Sequence, residues 1–287
     1  MDSSLRQIAN ELLNTGKVNA IIGYIPVDGT TRTKPFIATK TDEVDKFVVN
    51  HNILNNLSVY LTKDEVKKNF KKIGIIAKGC DIKSIIALIQ ENQILRDDIV
   101  IIGVKCSGVY SDFDLQTLAD KCISCEVREP HLFDYLVEMG DSSELRGEDR
   151  KLKVIRQIEA MNAEERWDFF ENEFSRCIKC YACRQVCPLC YCERCIVDKT
   201  IPRWIESSAH KRGNFAWNLV RAFHLSGRCV GCGECERVCP MDIPLSLLNR
   251  KMMMVTQEEF NYKSGMDINV PTLIGSYDLK DNEEFIE

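Results

Sequence analysis

Fifteen cysteines stand in this chain of 287 residues, and eight of them form two runs of identical spacing. The first is Cys177-x2-Cys180-x2-Cys183-x3-Cys187-Pro188, and the second is Cys229-x2-Cys232-x2-Cys235-x3-Cys239-Pro240. This is the run of two-cluster bacterial ferredoxins. Three thiolates spaced by two residues wrap one cubane in a tight loop, and the fourth points away to the other cluster. Cluster one is therefore expected on Cys177, Cys180, Cys183 and Cys239, and cluster two on Cys229, Cys232, Cys235 and Cys187. Crossed ligands would hold two [4Fe–4S] clusters at a short fixed separation suited to electron hopping. A zinc ribbon instead pairs C-x2-C knuckles across a spacer, which three thiolates within seven residues, repeated, match less well.

The rest of the composition narrows the class. The chain is 45% hydrophobic and 28% charged, ordinary for a globular protein. No stretch of 18 apolar residues is present, so no membrane span is expected. The opening MDSSLRQIANELL does not read as a secretory signal. A cytoplasmic, reducing location is expected, where dense cysteines bind metal more often than they pair. The net charge of −5 argues against a nucleic-acid binder. Within it, residues 177–250 carry 11 Lys+Arg against 6 Asp+Glu, which leaves −10 for the remainder. A basic environment stabilises an anionic cluster and raises its reduction potential.

The pattern predicts two kinds of structure. Residues 18–25 read as a strand, 42–60 as helical in spacing, and KKIGIIAKGCDIKSIIALIQEN as strand, turn and amphipathic helix. DDIVIIGVKCSG follows as a buried strand. These form a βαβ unit, so the first part is expected to be an α/β domain with parallel pairing. Residues 151–175 read as helix broken near Asn162, and helices are expected over 203–226, with Trp217, Val220, Ala222 and Phe223 among its apolar residues, and over 244–260. The domains expected are an α/β domain over 1–145, a connecting helix over 146–176 and a helical dicluster ferredoxin-type domain over 177–262. An acidic tail over 263–287 is read as a docking strap or a loose end. The 41 residues between the runs favour a helical ferredoxin architecture, which resembles that of iron–sulfur subunits of fumarate and heterodisulfide reductases. Gly231, Gly233 and Ala182 would let backbone N–H groups approach cluster sulfides.

Seven cysteines remain. Cys190, Cys192 and Cys195 lie within six residues and read either as a further cluster or zinc site or as packed small hydrophobes. His210 and His224 are possible outside ligands, each more simply a helix-end or surface residue. Cys80 and Cys106 follow two strands, where an α/β sheet gathers its working groups. With Cys122 and Cys125 they number four, enough for a third cluster or a zinc site, or else buried free thiols. No G-x-G-x-x-G, P-loop or H-E-x-x-H motif appears. His51, His131, Asp81 and Lys78 read as structural or solvated, so no catalytic residue is assigned.

Residues AKGCDIKSIIALIQENQILRDDIVIIGVKCSG, followed by CISCE at 122–126, resemble a segment of the beta subunits of coenzyme F420 hydrogenases and dehydrogenases, a family that includes formate dehydrogenase beta subunits. The ferredoxin half is similar to dicluster modules fused in the same group of anaerobic redox complexes. The resemblance implies that Cys80, Cys106, Cys122 and Cys125 hold a third [4Fe–4S] cluster near a flavin (FAD). The chain departs from the family at Asp81 and in the stretch after Cys125. The expected function is that of an iron–sulfur electron-transfer subunit of an anaerobic oxidoreductase, with partner subunits of formate dehydrogenase, hydrogenase or heterodisulfide reductase type. The alternatives are a flavin enzyme that takes hydride from a reduced coenzyme and a zinc-dependent scaffold.

Overall fold

The fold was analysed in a computed structural model that describes residues 2–112, 114–139 and 148–280. The chain divides into two compact units, 1–149 and 150–287. The first begins with helix α1 (Asp2–Asn14), strands β1 (Ala20–Pro26) and β2 (Thr33–Ala38), and short helices α2 (Thr41–Val44) and α3 (Asp64–Asn69). Then come β3 (Ile73–Ala77), α4 (Gly79–Gln90) and β4 (Ile99–Lys105), followed by the small ribbon β5 (Tyr110–Asp112) and β6 (Thr117–Leu118), helix α5 (Asp120–Ile123) and β7 (Tyr135–Glu138).

The main sheet runs β2-β1-β3-β4-β7, with β1, β3, β4 and β7 parallel and β2 antiparallel at the edge. β3 is buried at every position and β4 at all but Lys105, as a strand covered on both faces requires. Ile82, Ile85 and Ile86 of α4 are buried. The expected βαβ unit is present. The stretch 42–60 is not one helix: after a single turn it runs irregularly into a 3-10 segment, Leu57–Thr62. Its asparagines explain this. Asn50 and Asn56 accept from the backbone N–H two residues on, at 2.9 and 3.1 Å, turns that compete with helix.

The second unit is helical: α6 (Arg150–Glu159), α7 (Ala163–Ser175), α8 (Ala182–Gln185), α9 (Lys211–His224), α10 (Glu234–Arg237) and α11 (Leu245–Phe260). The expected break falls at Asn162, which caps α7 by accepting from the N–H groups of Glu164 and Glu165, both at 3.0 Å. The helix expected from 203 begins only at Lys211, because His210 is its N-cap and 203–210 are irregular. The core of this unit mixes aromatic and sulfur-bearing side chains: Phe174, Trp217, Ile243 and Leu245 pack with Cys183 and Cys235. Ser264 Oγ donates to the Arg228 carbonyl at 2.9 Å, which ties the start of the tail to this unit. The acidic end of the tail, 281–287, lies outside the described residues.

Candidate iron–sulfur centres

The two runs fold identically. In the first, Lys179 and Tyr181 both adopt left-handed backbone at φ +57°. In the second, the equivalent positions are Gly231 and Gly233, at φ +72° and +71°. Each run then enters a four-residue helix, α8 or α10. Alternation of left- and right-handed residues turns successive N–H groups inward into an anion-binding nest, a common setting for Fe–S sites. Glycine takes this geometry at no steric cost, whereas lysine and tyrosine do not. That the first run keeps it with bulky residues indicates a conformation imposed by what the loop must surround. Lys179 N–H points at Cys177 Sγ across 3.4 Å.

Cys177, Cys180 and Cys183 line one cavity, and the fourth thiol there is Cys239, from the end of the second run. The cavity encloses about 330 Å³, part of it open to solvent, with Tyr181, Trp217 and Met241 among its walls. Reciprocally, Cys187 lies close enough to Cys229, Cys232 and Cys235 to raise the ionisation cost of each. The thiols thus group as two crossed sets; among the described residues no three such side chains converge on one metal-ion position. Burial pushes Cys183 up to about 11 and Cys229 up to about 12. Dry thiols of this kind ionise when metal binds, since a coordinating thiol is deprotonated outright. The donors, the nest and the space at Cys177, Cys180, Cys183 and Cys239 fit a [4Fe–4S] cluster, and the second set repeats the donors and the nest.

Of the apolar residues noted on α9, Trp217 and Ala222 are buried and Phe223 is 58% exposed. Three polar side chains are buried beside them, and Asn214, Trp217, Asn218 and Arg221 form one stripe. These follow the i, i+3, i+4, i+7 pattern, the signal that could have found them. Asn214 Nδ2 donates to the carbonyls of Ser175 and Cys177 at 3.2 and 2.7 Å. Trp217 meets Tyr181 edge-on at 5.1 Å. A mostly polar stripe faces inward because its neighbours are thiols and backbone carbonyls rather than hydrocarbon.

Cys190, Cys192 and Cys195 have different surroundings. Cys190 shares a hydrogen bond with Cys187, which holds Cys187 below its ordinary range and pushes Cys190 up. Cys195 packs toward Tyr181, and Cys192 is exposed. Of the histidines, His210 Nε2 meets Glu206 at 2.9 Å and its Nδ1 accepts from Gly213 at 3.4 Å, a capping role. The His224 carbonyl accepts from Arg228 at 3.0 Å.

In the first unit, Cys80 enters α4 just after β3, Cys106 follows β4, and Cys122 lies on α5 with Cys125 just beyond. Cys106 lies within electrostatic reach of all three others. Arg128 knits the loops together: it donates to the Ser107 carbonyl at 2.7 Å and the Cys122 carbonyl at 3.3 Å, and its own carbonyl accepts from Cys106 N–H at 2.8 Å. Val109 N–H points at Cys122 Sγ across 3.4 Å. Burial pushes Cys80 up to about 12 and Cys106 up to about 11, against the pull of Lys121 and Lys78.

Lys78 and Asp81 are structural, as expected, and fully buried, with Nζ and Oδ2 at 2.9 Å. Asp81 also accepts from Lys78 N–H and Leu57 N–H, both at 2.8 Å, while Lys78 Nζ donates to Tyr24 Oη and to the Asn55 carbonyl. Burial opposes the lysine charge, yet Asp81 and the nearby thiols leave its pKa raised. Sequence reasoning did not foresee that this pair would lie beside Cys80 and Cys106.

A fold of this kind, with its thiols so arranged, defines a dicluster iron–sulfur protein, and residues 176–244 match the family model of the 4Fe-4S dicluster domain. The chain is 25% identical to the F420-dependent formate dehydrogenase subunit beta of Methanocaldococcus jannaschii, over 71% of this chain and 76% of that protein. It is 35% identical to the F420-dependent formate dehydrogenase 1 subunit beta of Methanococcus maripaludis, over 45% of this chain and 31% of that one. A chain of the F420-reducing [NiFe] hydrogenase complex from Methanosarcina barkeri aligns at TM-score 0.33 and 19% identity, over 39% of this chain and 40% of its own length. The expected resemblance therefore stands: the chain is similar to F420-dependent formate dehydrogenase beta subunits, and its residues 176–244 match a dicluster module.

Proposed function

We propose that this chain is the iron–sulfur electron-transfer subunit of a multi-subunit oxidoreductase of the formate dehydrogenase or hydrogenase type. The observation that carries the reading is the cavity shared by Cys177, Cys180, Cys183 and the sequence-distant Cys239. When bound, each [4Fe–4S] cluster accepts and releases one electron. The chain's own residues do the rest. The crossed thiols of Cys239 and Cys187 hold the two sites at a fixed separation. The nests at 179–181 and 231–233 direct N–H groups at sulfur, which helps set the potential. Trp217 and Tyr181 keep water from one side of the first site.

A third cluster on Cys80, Cys106, Cys122 and Cys125 belongs to the same proposal, supported by their convergence and by the cations Lys78 and Lys121 beside them. A flavin site and a fourth cluster on Cys190, Cys192 and Cys195 form no part of this proposal. Similarity to beta subunits favours an electron relay over a self-sufficient flavin enzyme. The fifteen cysteines are all free thiols, which suits the cytoplasm as the proposed compartment. Among the described residues no helix is long and apolar enough to cross a membrane.

The test is anaerobic purification with iron, acid-labile sulfide and zinc quantification. Brown protein that gives two interacting signals in paramagnetic resonance after reduction is expected. Colourless protein holding stoichiometric zinc would end the proposal.

A further inference from the structure

Arg221 lies on α9, 5% exposed, on the face that also carries Asn214, Trp217 and Asn218. Its Nη2 donates to the Cys183 carbonyl at 3.3 Å. Its Nε is buried and finds no partner in the protein. The Arg221 side chain also hydrogen-bonds the Cys235 thiol, so it touches a residue of each run, and burial works against its charge while Cys235, Cys187, Cys190 and Cys183 lie within reach of it. No carboxylate pairs with it among the described residues, whereas the neighbouring cations are matched: Arg184 with Asp198 at 2.8 Å and Arg237 with Glu234 at 2.7 Å.

A buried guanidinium without a carboxylate is strongly unfavourable, so it requires another anion. The anion must come from the thiolates. Cys183 belongs to the first crossed set, and Cys187 and Cys235 to the second. One cation therefore faces both. Shielded from solvent and salt, its field on each site is attenuated far less than that of a surface lysine.

We propose that Arg221 is the shared counter-charge of the two clusters, a positioning residue that raises the reduction potential of both at once. The inference rests on the two-cluster reading above. Reduction of either site adds one electron with no bond made or broken and no proton moved; the electron comes from the redox partner, or from dithionite in the test. The added negative charge is stabilised by the guanidinium, so neutralising Arg221 disfavours reduction at both sites.

The experiment is a potentiometric titration, followed by paramagnetic resonance, of the anaerobically purified full chain and of Arg221→Gln, Arg221→Met, Arg221→Lys and Lys251→Gln. Wild-type iron and sulfide content is measured first, and wild-type protein without clusters overturns the two-cluster reading and this inference with it. With clusters present, both neutral variants should make reduction at least tenfold less favourable at each site, a negative shift of about 59 mV or more. Lys251→Gln, which loses the same charge at a surface pair with Glu159, should leave both potentials in place. Unchanged potentials in a loaded neutral variant, or a shift at one site alone, overturns the inference while the two-cluster reading survives. Should neither neutral variant load clusters while Arg221→Lys does, the requirement for charge is upheld. Failure of all three Arg221 variants to load assigns Arg221 a shape role and overturns it.

Discussion

Cys187 stands in the first run, yet its thiol lies with those of the second, and that displacement makes single-residue tests decisive. Cys187→Ser should weaken or abolish the resonance signal of the second cluster and leave the first, and Cys239→Ser should do the reverse. Loss of the first signal alone on Cys187→Ser would refute the crossing. Asp81 offers a different kind of test. It is wholly buried and answers Lys78, Leu57 N–H and Lys78 N–H together. Asp81→Asn leaves a buried ammonium without its anion, and breaking such a pair costs about 3–5 kcal/mol. Chemical denaturation that follows the first unit should show that loss, and a change under about 1 kcal/mol would mean the pair is dispensable. Cysteine spacing made the first of these residues conspicuous. The sequence marks the second only as a departure from the family and does not show its burial with Lys78, because lysine and aspartate three residues apart are commonplace on an exposed helix.

At the scale of elements, close approach governs where the thiols go. α4 starts at Gly79, and a Cβ there would fall 1.7 Å from the Val127 carbonyl oxygen. The absence of a side chain lets the loop that follows Cys125 lie against the start of the helix bearing Cys80. Gly79→Ala should therefore destabilise by about 3 kcal/mol, the upper range for overpacking, and should lower iron content at the four thiols of the first unit while the second unit keeps its own. Equal retention of iron at both would show that the loop yields. The cap of α7 predicts a smaller effect: Asn162→Ala should cost about 1 kcal/mol in thermal or chemical denaturation, with both clusters retained. Periodicity found α4, whose apolar pattern matches its burial, and the sequence also placed the break at Asn162 and the helix α11. Periodicity failed over 42–60, where asparagine turns override helical spacing, and it did not point to the buried Asn214, Asn218 and Arg221 on α9.

For the molecule as a whole, iron content is the summary observable. Three [4Fe–4S] sites predict about twelve irons per chain, and eight would return Cys80, Cys106, Cys122 and Cys125 to the role of buried thiols. Because cluster thiols form part of the second unit's core, iron removal should also lower its melting temperature and loosen the packing around Trp217, visible as a change in tryptophan fluorescence. Unaltered melting after complete iron loss would show that the unit holds together without its cofactors. The linear order of residues was enough to establish the two runs, their shared spacing, the parallel βαβ unit and the likeness to beta subunits, because ligand spacing and hydrophobic period are local quantities. It predicted the crossing of Cys239 and Cys187 from spacing, but it could not say that Arg221 would be buried among sulfurs with no carboxylate paired to it among the described residues. That fact depends on how helices pack and on which charges are removed from water together, and only the folded chain decides it.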